Sequence, residues 1–185
     1  MSTGAVVLAA GGATRFGGEG HKLLAPFRGR PLVTWALEHA RDAALGPTAV
    51  VTGAVDLTSV VPPGIEVVEN PTWRDGQAGS LQAALSWAKA RGLDAVVIGL
   101  GDQPLVPPEA WRAVAASASP IAVAAFDGRR CPPTRLAASV WPVLPVDGDE
   151  GARAVMTRHP ELVEAVACPG HPVDIDTLED LARWS

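Results

Sequence analysis

Ala5-Val6-Val7-Leu8-Ala9-Ala10-Gly11-Gly12-Ala13-Thr14-Arg15-Phe16-Gly17-Gly18-Glu19-Gly20-His21-Lys22 is the stretch that decides how this chain is read. The apolar run Ala5–Ala9 passes without a break into glycines and then into basic residues. Continuous rather than alternating apolar character marks a strand buried on both faces, as in parallel sheets covered by helices. Outward from it the pattern repeats. Further apolar runs stand at Thr48–Thr52, Ile65–Val68, Ala95–Leu100, Ile121–Ala125 and Leu162–Val166. Between them, Pro31–Leu45 places Val33, Leu37, Ala40 and Ala44 on one helical face, with Pro31 suited to the first turn. Gly79–Arg91 does the same with Leu81, Ala84, Leu85 and Ala88, and Glu109–Ala118 and Gly151–Arg158 are further helix candidates. A last helix begins at Thr177, with Asp180 placed as the acid of a capping box. The expectation is an α/β chain, a Rossmann-like three-layer α/β/α fold on a mostly parallel sheet, in one domain over 1–185.

Composition narrows the function. Of 185 residues, 48% are hydrophobic and 19% charged, which excludes a disordered chain. With 15 Lys+Arg against 20 Asp+Glu the formal charge is -5, so a general nucleic-acid partner is not expected. No apolar run approaches the roughly 18 residues of a membrane span, and no basic segment precedes the first run as in a signal peptide. Cys131 and Cys168 are too few for a disulfide framework. The expected location is the cytoplasm, away from membranes.

Two stretches lack the strand–helix pattern: Ala10–Arg30, rich in glycine and basic residues, and Asp127–Glu150, rich in proline. Long loops in compact domains usually serve a function. The dinucleotide fingerprint G-x-G-x-x-G is not present, because Ala13 and Phe16 stand where its second and third glycines belong. A P-loop started at Gly12 reaches Gly17, Gly18 and Glu19, and Lys22 comes too late. The chemistry still suits phosphate. Glycines let backbone N–H groups approach an anion, Arg15 offers a two-pronged guanidinium, and Lys22 adds a point charge. The plainer alternative is a solvated hairpin with ordinary surface charges.

Leu8-Ala9-Ala10-Gly11, then Arg15-Phe16-Gly17 and Lys22-Leu23-Leu24, resemble the signature of the MobA-like nucleotidyltransferases. Within that group the chain looks most like the molybdenum cofactor cytidylyltransferases, since Ala9-Ala10-Gly11 stands where guanylyl-transferring relatives carry Ala-Gly-Gly. The resemblance implies a nucleotide site built from Leu8, Ala9, Ala10, Gly11, Gly12, Arg15, Lys22 and Gly101. It also implies base contacts from Gly76, Gln77, Ala78 and Ser80, in the stretch that follows Asn70-Pro71. A junction in which Ser80 merely caps a helix is the alternative there.

Asp102, in Gly99-Leu100-Gly101-Asp102-Gln103-Pro104, ends an expected strand, where ligands of open α/β sheets bind. It matches the family's metal-binding acid, and Asp176 in Asp174-Ile175-Asp176-Thr177 matches the second. Mg²⁺ is the implied ion; on an extended segment Asp174 and Asp176 would face it together. Gly148-Asp149-Glu150-Gly151-Ala152-Arg153 resembles the family's acceptor-handling segment. Arg129, Arg130 and Arg153 are the expected partners of an anionic acceptor, and Asp149 is expected in the same acceptor site. Cys131 and Pro132, followed by Pro133, belong to the same site but depart from the usual His-Pro or Asn-Pro. Beside two arginines Cys131 could be an acidified thiol, though more often such a residue lines a pocket. His21 and His171 read as hydrogen-bonding bystanders, and Trp35, Trp87, Trp111 and Trp184 as packing residues. Spacing gives no zinc site and no Ser–His–Asp triad.

Together these imply transfer of CMP from CTP to the terminal phosphate of molybdopterin, with Arg15, Lys22 and Asp102 catalytic and pyrophosphate released. A recipient molybdoenzyme is a further expected partner. GMP transfer, transfer to another phosphorylated acceptor, or a non-catalytic pterin-binding delivery protein are the alternatives.

Overall fold

The structure is a computed structural model that describes residues 1–17 and 20–185; Gly18 and Glu19 of the glycine-rich stretch lie outside the described residues. In chain order the strands and helices are β1 (Thr3–Ala9), β2 (Pro26–Phe27), β3 (Arg30–Pro31), α1 (Leu32–Asp42), β4 (Thr48–Thr52), β5 (Ile65–Glu69), α2 (Gln77–Ala90), β6 (Ala95–Leu100), α3 (Pro108–Ala115), β7 (Ile121–Phe126), β8 (Arg129–Ala137), α4 (Arg153–Arg158), β9 (Val163–Ala167) and α5 (Leu178–Trp184). β2 and β3 form a small antiparallel ribbon. The main sheet runs β5-β4-β1-β6-β8-β7-β9 and is parallel except for β8, which is antiparallel to both neighbours.

Strand periodicity builds the two faces. Ala5, Val7 and Ala9 of β1 pack with Val33, Leu37 and Trp111 from α1 and α3. Val6 and Leu8 pack with Leu81, Ala84 and Leu85 of α2 on the other side. Each helix therefore inserts its apolar stripe into one row of alternate strand residues. This is the expected three-layer α/β/α fold. Among the described residues no helix is long and apolar enough to cross a membrane.

The proline-rich stretch Asp127–Glu150 is a correction. It is no featureless loop: β8 runs through it, pairing Ile121↔Leu136 with β7 and Ile98↔Thr134 with β6. The register with β7 jumps from Val123↔Thr134 to Ala124↔Cys131, so Pro132 and Pro133 fall in a bulge. Prolines lack the N–H a ladder needs, and a bulge is where a strand tolerates them. Composition signalled a breaker where tertiary pairing carried the strand across.

A third cluster sits at one end of the sheet. Phe27, Leu32 and Ile175 are fully buried there, flanked by Trp35, Leu105 and Val173 and by Leu181 and Trp184 of α5. It fastens the C-terminal segment onto the β2–β3 ribbon. α5 itself starts on the expected capping box, with Asp180 N–H donating to Thr177 Oγ1 at 3.1 Å and Thr177 N–H donating to Asp180 Oδ2 at 2.9 Å.

Gly99 tests the packing of α3 on β6. A Cβ there would collide with Cζ2 of Trp111, an indole 2% exposed. Gly99→Ala is expected to destabilise the fold by about 1–3 kcal/mol through overpacking, read as a lowered urea midpoint at unchanged m-value. An unchanged midpoint would show that the indole can be displaced without cost.

Candidate active site

The glycine-rich segment leaves the carboxyl end of β1, where parallel strands of this architecture present their ligand sites. Ala13 and Gly17 adopt positive φ, 53° and 68°, and Phe16 N–H donates to Ala13 O at 3.1 Å, so the segment curls into a tight turn pinned by the buried Phe16. His21 holds that turn to the next one. Its Nε2 lies 2.8 Å from Gly11 O, and its Nδ1 accepts from Leu23 N–H at 3.3 Å. These contacts suit the neutral ring protonated on Nε2, and burial pushes its pKa down.

Lys22 is the centre of the site. Its Nζ donates to Asp102 Oδ2 at 2.7 Å and to Asp176 Oδ1 at 2.7 Å. Arg15 reaches the other oxygen of Asp176, with Nη2 3.0 Å from Oδ2. Burial of Lys22 opposes its charge, but the two carboxylates outweigh it and its pKa is raised. The expected meeting of residues 102 and 176 is therefore present. It follows from two local constraints: Ile175 N–H donates to Asp102 O at 3.0 Å, and the Ile175 side chain is fully buried in the third cluster. With Ile175 fixed, Asp176 is delivered beside Asp102.

Asp174 does not join them, a correction to the shared-face expectation. Its Oδ1 accepts from Gln103 Nε2 at 2.8 Å, and it lines a different cavity. Anchoring by the Ile175 backbone and by buried Gln103 overrides ideal strand alternation. Burial, then the nearby Asp102, raises the Asp174 pKa.

Two cavities open side by side. The first, of about 820 Å³, is lined by Leu8, Ala9, Ala10, Gly11, Gly12, Arg15, Lys22, Gly76, Gln77, Ser80, Asp102 and Asp176. Ala78 and Gly101 lie behind the wall: Ala78 is fully buried, and Gly101 N–H donates to Leu8 O at 2.9 Å. The second, of about 620 Å³, is lined by Arg129, Arg130, Cys131, Pro132, Asp149 and Arg153, together with Gln103, Met156 and Asp174. Leu8, Gln77, Leu100 and Asp149 line both. Burial raises the Cys131 thiol pKa despite Arg129 nearby, so Cys131 lines a pocket rather than being acidified.

Ser80 is not a helix cap. α2 begins two residues earlier than Gly79, and Ser80 Oγ accepts from Asn70 Nδ2 at 3.0 Å in a buried pair. Sequence reasoning also passed over Trp73 and Arg74, which line the first cavity with the guanidinium 4.3 Å above the indole. An aromatic–arginine pair between Asn70-Pro71 and Gly76 was the available signal. Gly12 belongs with them, since a Cβ on it would meet Cζ3 of Trp73 at 2.9 Å.

Among the described residues no three His, Cys, Asp or Glu side chains gather as a metal cage of their own. Asp102 and Asp176 already share one cation, the Lys22 ammonium. Two carboxylates are the protein's usual share of a Mg²⁺ shell completed by phosphate and water. The donor set fits such an ion.

Comparison with known proteins shows the family. The model of the MobA-like NTP transferase domain matches residues 5–163. Nicotine blue oxidoreductase of Paenarthrobacter nicotinovorans is 30% identical over 96% of this chain and 94% of its own length. Molybdenum cofactor guanylyltransferase of Cereibacter sphaeroides is 31% identical over 96% and 93%. A 2-C-methyl-D-erythritol 4-phosphate cytidylyltransferase of the same species is 35% identical over 59% of this chain, which spans 50% of that protein. Among solved structures, Rv0371c of Mycobacterium tuberculosis H37Rv superposes with a TM-score of 0.83 at 30% identity, covering 98% of this chain and 96% of that one. A structure of Rv0371c in complex with manganese gives 0.75 at 26% identity, covering 100% and 98%.

The junction of the two cavities rests on Gly76, at φ 110°, where a Cβ would stand 2.6 Å from Gly148 O and 2.8 Å from Asp149 Oδ1. The same Gly148 O accepts from Ala78 N–H at 3.0 Å. Gly76→Ala is expected to cost about 1–3 kcal/mol of strain and to release the 146–150 segment. Limited proteolysis should then cut there faster, with the bulk of the sheet still protected. Unchanged cleavage would show that the segment is held by other contacts.

Proposed function

The chain belongs to the MobA-like NTP transferase family, and from that premise we propose that it is a nucleotidyltransferase that moves CMP from CTP to the terminal phosphate of molybdopterin. The observation that carries this reading is the Arg15–Asp176–Lys22–Asp102 constellation beneath a glycine turn, with a second, arginine-lined cavity adjoining it. One cavity takes the triphosphate and the other the phosphorylated acceptor.

In this reading the backbone of Leu8–Gly12 lies along the phosphates, while Arg15 and Lys22 offset their charge. Asp102 and Asp176 hold Mg²⁺, which when bound supplies neutralising charge to the polyphosphate. Arg129, Arg130 and Arg153 grip the acceptor phosphate, with Asp149 and the wall at Cys131 and Pro132 shaping its pocket. An acceptor phosphate oxygen bonds to the α-phosphorus of CTP as the bond from that phosphorus to the bridging oxygen breaks, and pyrophosphate leaves. The residues act by alignment and by electrostatic stabilisation. A phosphate dianion is already a competent nucleophile, so no general base is assigned. Gln77 and Ser80 border the base, with Gly76, Ala78 and Gly101 setting the wall behind it.

CMP rather than GMP is favoured by Ala9-Ala10-Gly11 in the turn. The relative named molybdenum cofactor guanylyltransferase, at 31% identity over nearly the whole chain, favours GMP. Pyrophosphate release with Mg²⁺, molybdopterin and each of the four NTPs, with product mass identified, decides between them. CTP is expected to be used at least about tenfold faster than GTP, a difference of roughly 1.4 kcal/mol. Equal rates or a preference for GTP would reverse the base assignment, and binding of the pterin without pyrophosphate would indicate a delivery protein. Asp102→Ala is expected to lower kcat at least a hundredfold, roughly 2.7 kcal/mol or more, with the far-UV spectrum unchanged. Near-normal turnover would remove Asp102 from the reacting centre.

A further inference from the structure

Four arginines lie over aromatic rings among the described residues, and three of them are anchored through their N–H groups. Arg28 over Phe27 donates to Trp184 O, Arg30 over Trp35 donates to Glu38, and Arg91 over Trp87 donates to Glu66. The fourth, Arg74, stands 4.3 Å above the Trp73 indole, and among the described residues no acceptor holds its guanidinium. It is also the one of the four that lines the first cavity. The indole beneath it is firmly placed. Asn70, 4% exposed, accepts from Thr72 N–H at 3.1 Å and from Thr72 Oγ1 at 3.0 Å, while its Nδ2 donates to Ser80 Oγ at 3.0 Å. These bonds pin the 70–75 turn to α2. Trp73 then fits against two glycines: a Cβ on Gly53 would stand 2.7 Å from its own Cβ, and a Cβ on Gly12 would stand 2.9 Å from Cζ3.

An indole that backs a guanidinium makes a flat cationic surface. Planar bases stack on guanidinium planes as they do on aromatic rings, and every base has a face to offer. Phosphate charge is met in the same cavity by Arg15 and Lys22, whereas Arg74 precedes Gly76 and Gln77 on the segment read as bordering the base. We propose that Trp73 and Arg74 form the stacking wall of the nucleotide site, with the Arg74 guanidinium packed on the flat face of the base and Trp73 holding it there. The wall grips any nucleobase and leaves the choice among bases to groups at the base edge. The proposal rests on reading the first cavity as a nucleoside triphosphate site, but not on which base or acceptor is used.

Isothermal titration calorimetry with Mg²⁺ present reads the binding of CTP, GTP and inorganic triphosphate without turnover. Arg74→Ala is expected to weaken CTP and GTP each about tenfold, and inorganic triphosphate less than about twofold. Arg74→Lys keeps the charge and loses the plane, so it should bind both nucleotides as weakly as the alanine variant. Arg74 is exposed, and both variants should keep the wild-type urea midpoint. Wild-type affinity in the lysine variant, or inorganic triphosphate weakened as much as CTP, would make Arg74 a phosphate cation and overturn the wall. A loss confined to one of the two bases would overturn it as well, by showing that the edge is read. Unchanged CTP and GTP affinity in both variants would defeat the wall alone, whereas wild-type protein that binds none of the three ligands would defeat the transferase reading together with it.

Discussion

The Lys22 ammonium, shared by two carboxylates from distant parts of the chain, is the contact on which the arrangement of this protein turns. Asp102 follows β6 in the middle of the sheet, and Asp176 precedes the last helix. Lys22 belongs to a short turn leading into the β2–β3 ribbon. A largely buried charge of this kind is costly unless its partners are in place, and stripping one partner leaves an unpaired charge away from water. The apolar packing around it therefore has to be accurate. Ile175 supplies that accuracy through its buried side chain and through its N–H, which donates to the carbonyl of Asp102. The capping box of α5 extends the grip, because Asp180 Oδ2 also accepts from Asp176 N–H at 3.2 Å.

The antiparallel strand β8 explains why the two cavities share a wall. Running opposite to its neighbours, it presents its first residues, Arg129 and Arg130, toward the end of the sheet where β6 and β7 finish. A parallel strand in its place would bring its last residues there instead. Arg129 and Arg130 therefore line the second cavity, beside the one that Asp102 lines, by way of a tight β7–β8 connection at Asp127 and Gly128, both at positive φ. β8 pairs with β7 on both sides of the proline bulge, whereas its pairing with β6 covers only Thr134–Ala137, beyond the bulge.

Much of this was legible in the residues. Continuous apolar runs identified β1, β4, β6 and β7, because strands buried on both faces have no polar side to show; β5 and β9 were found by the same rule but are edge strands, largely exposed, with Glu66 and Glu164 on their open side. Thr177 and Asp180 announced α5 through side chains that satisfy the first turn themselves. β8 was hidden for the opposite reason. Its pairing is with strands distant in sequence or across a bulge, and prolines mask the β signal locally. The meeting of Asp102 with Asp176 came from a family pattern. Neither the bridging Lys22 nor the diversion of Asp174 to Gln103 follows from periodicity, since both depend on where Ile175 is buried. For Ser80 the helix cap was the competing reading, because a small hydroxyl near a helix start suits a cap and a buried partner equally well; only Asn70 opposite it decides against the cap.

Relatives of nearly equal identity carry the names of a guanylyltransferase and of an oxidoreductase, so overall similarity does not select a chemistry on this fold. The site does the selecting, and its two halves are built under different constraints. The charged knot of Lys22, Asp102 and Asp176 is tied to the core through β1, β6 and the third cluster, so a change there disturbs packing and charge together. The wall of the second cavity comes from the start of β8 and from the segment before α4, where Arg129, Arg130, Asp149 and Glu150 are exposed. Replacing those residues alters shape and charge with little cost to the core. A fold made this way can hold its Lys22–Asp102–Asp176 half constant while the opposite wall is refitted, and Cys131-Pro132-Pro133 lies on that opposite wall.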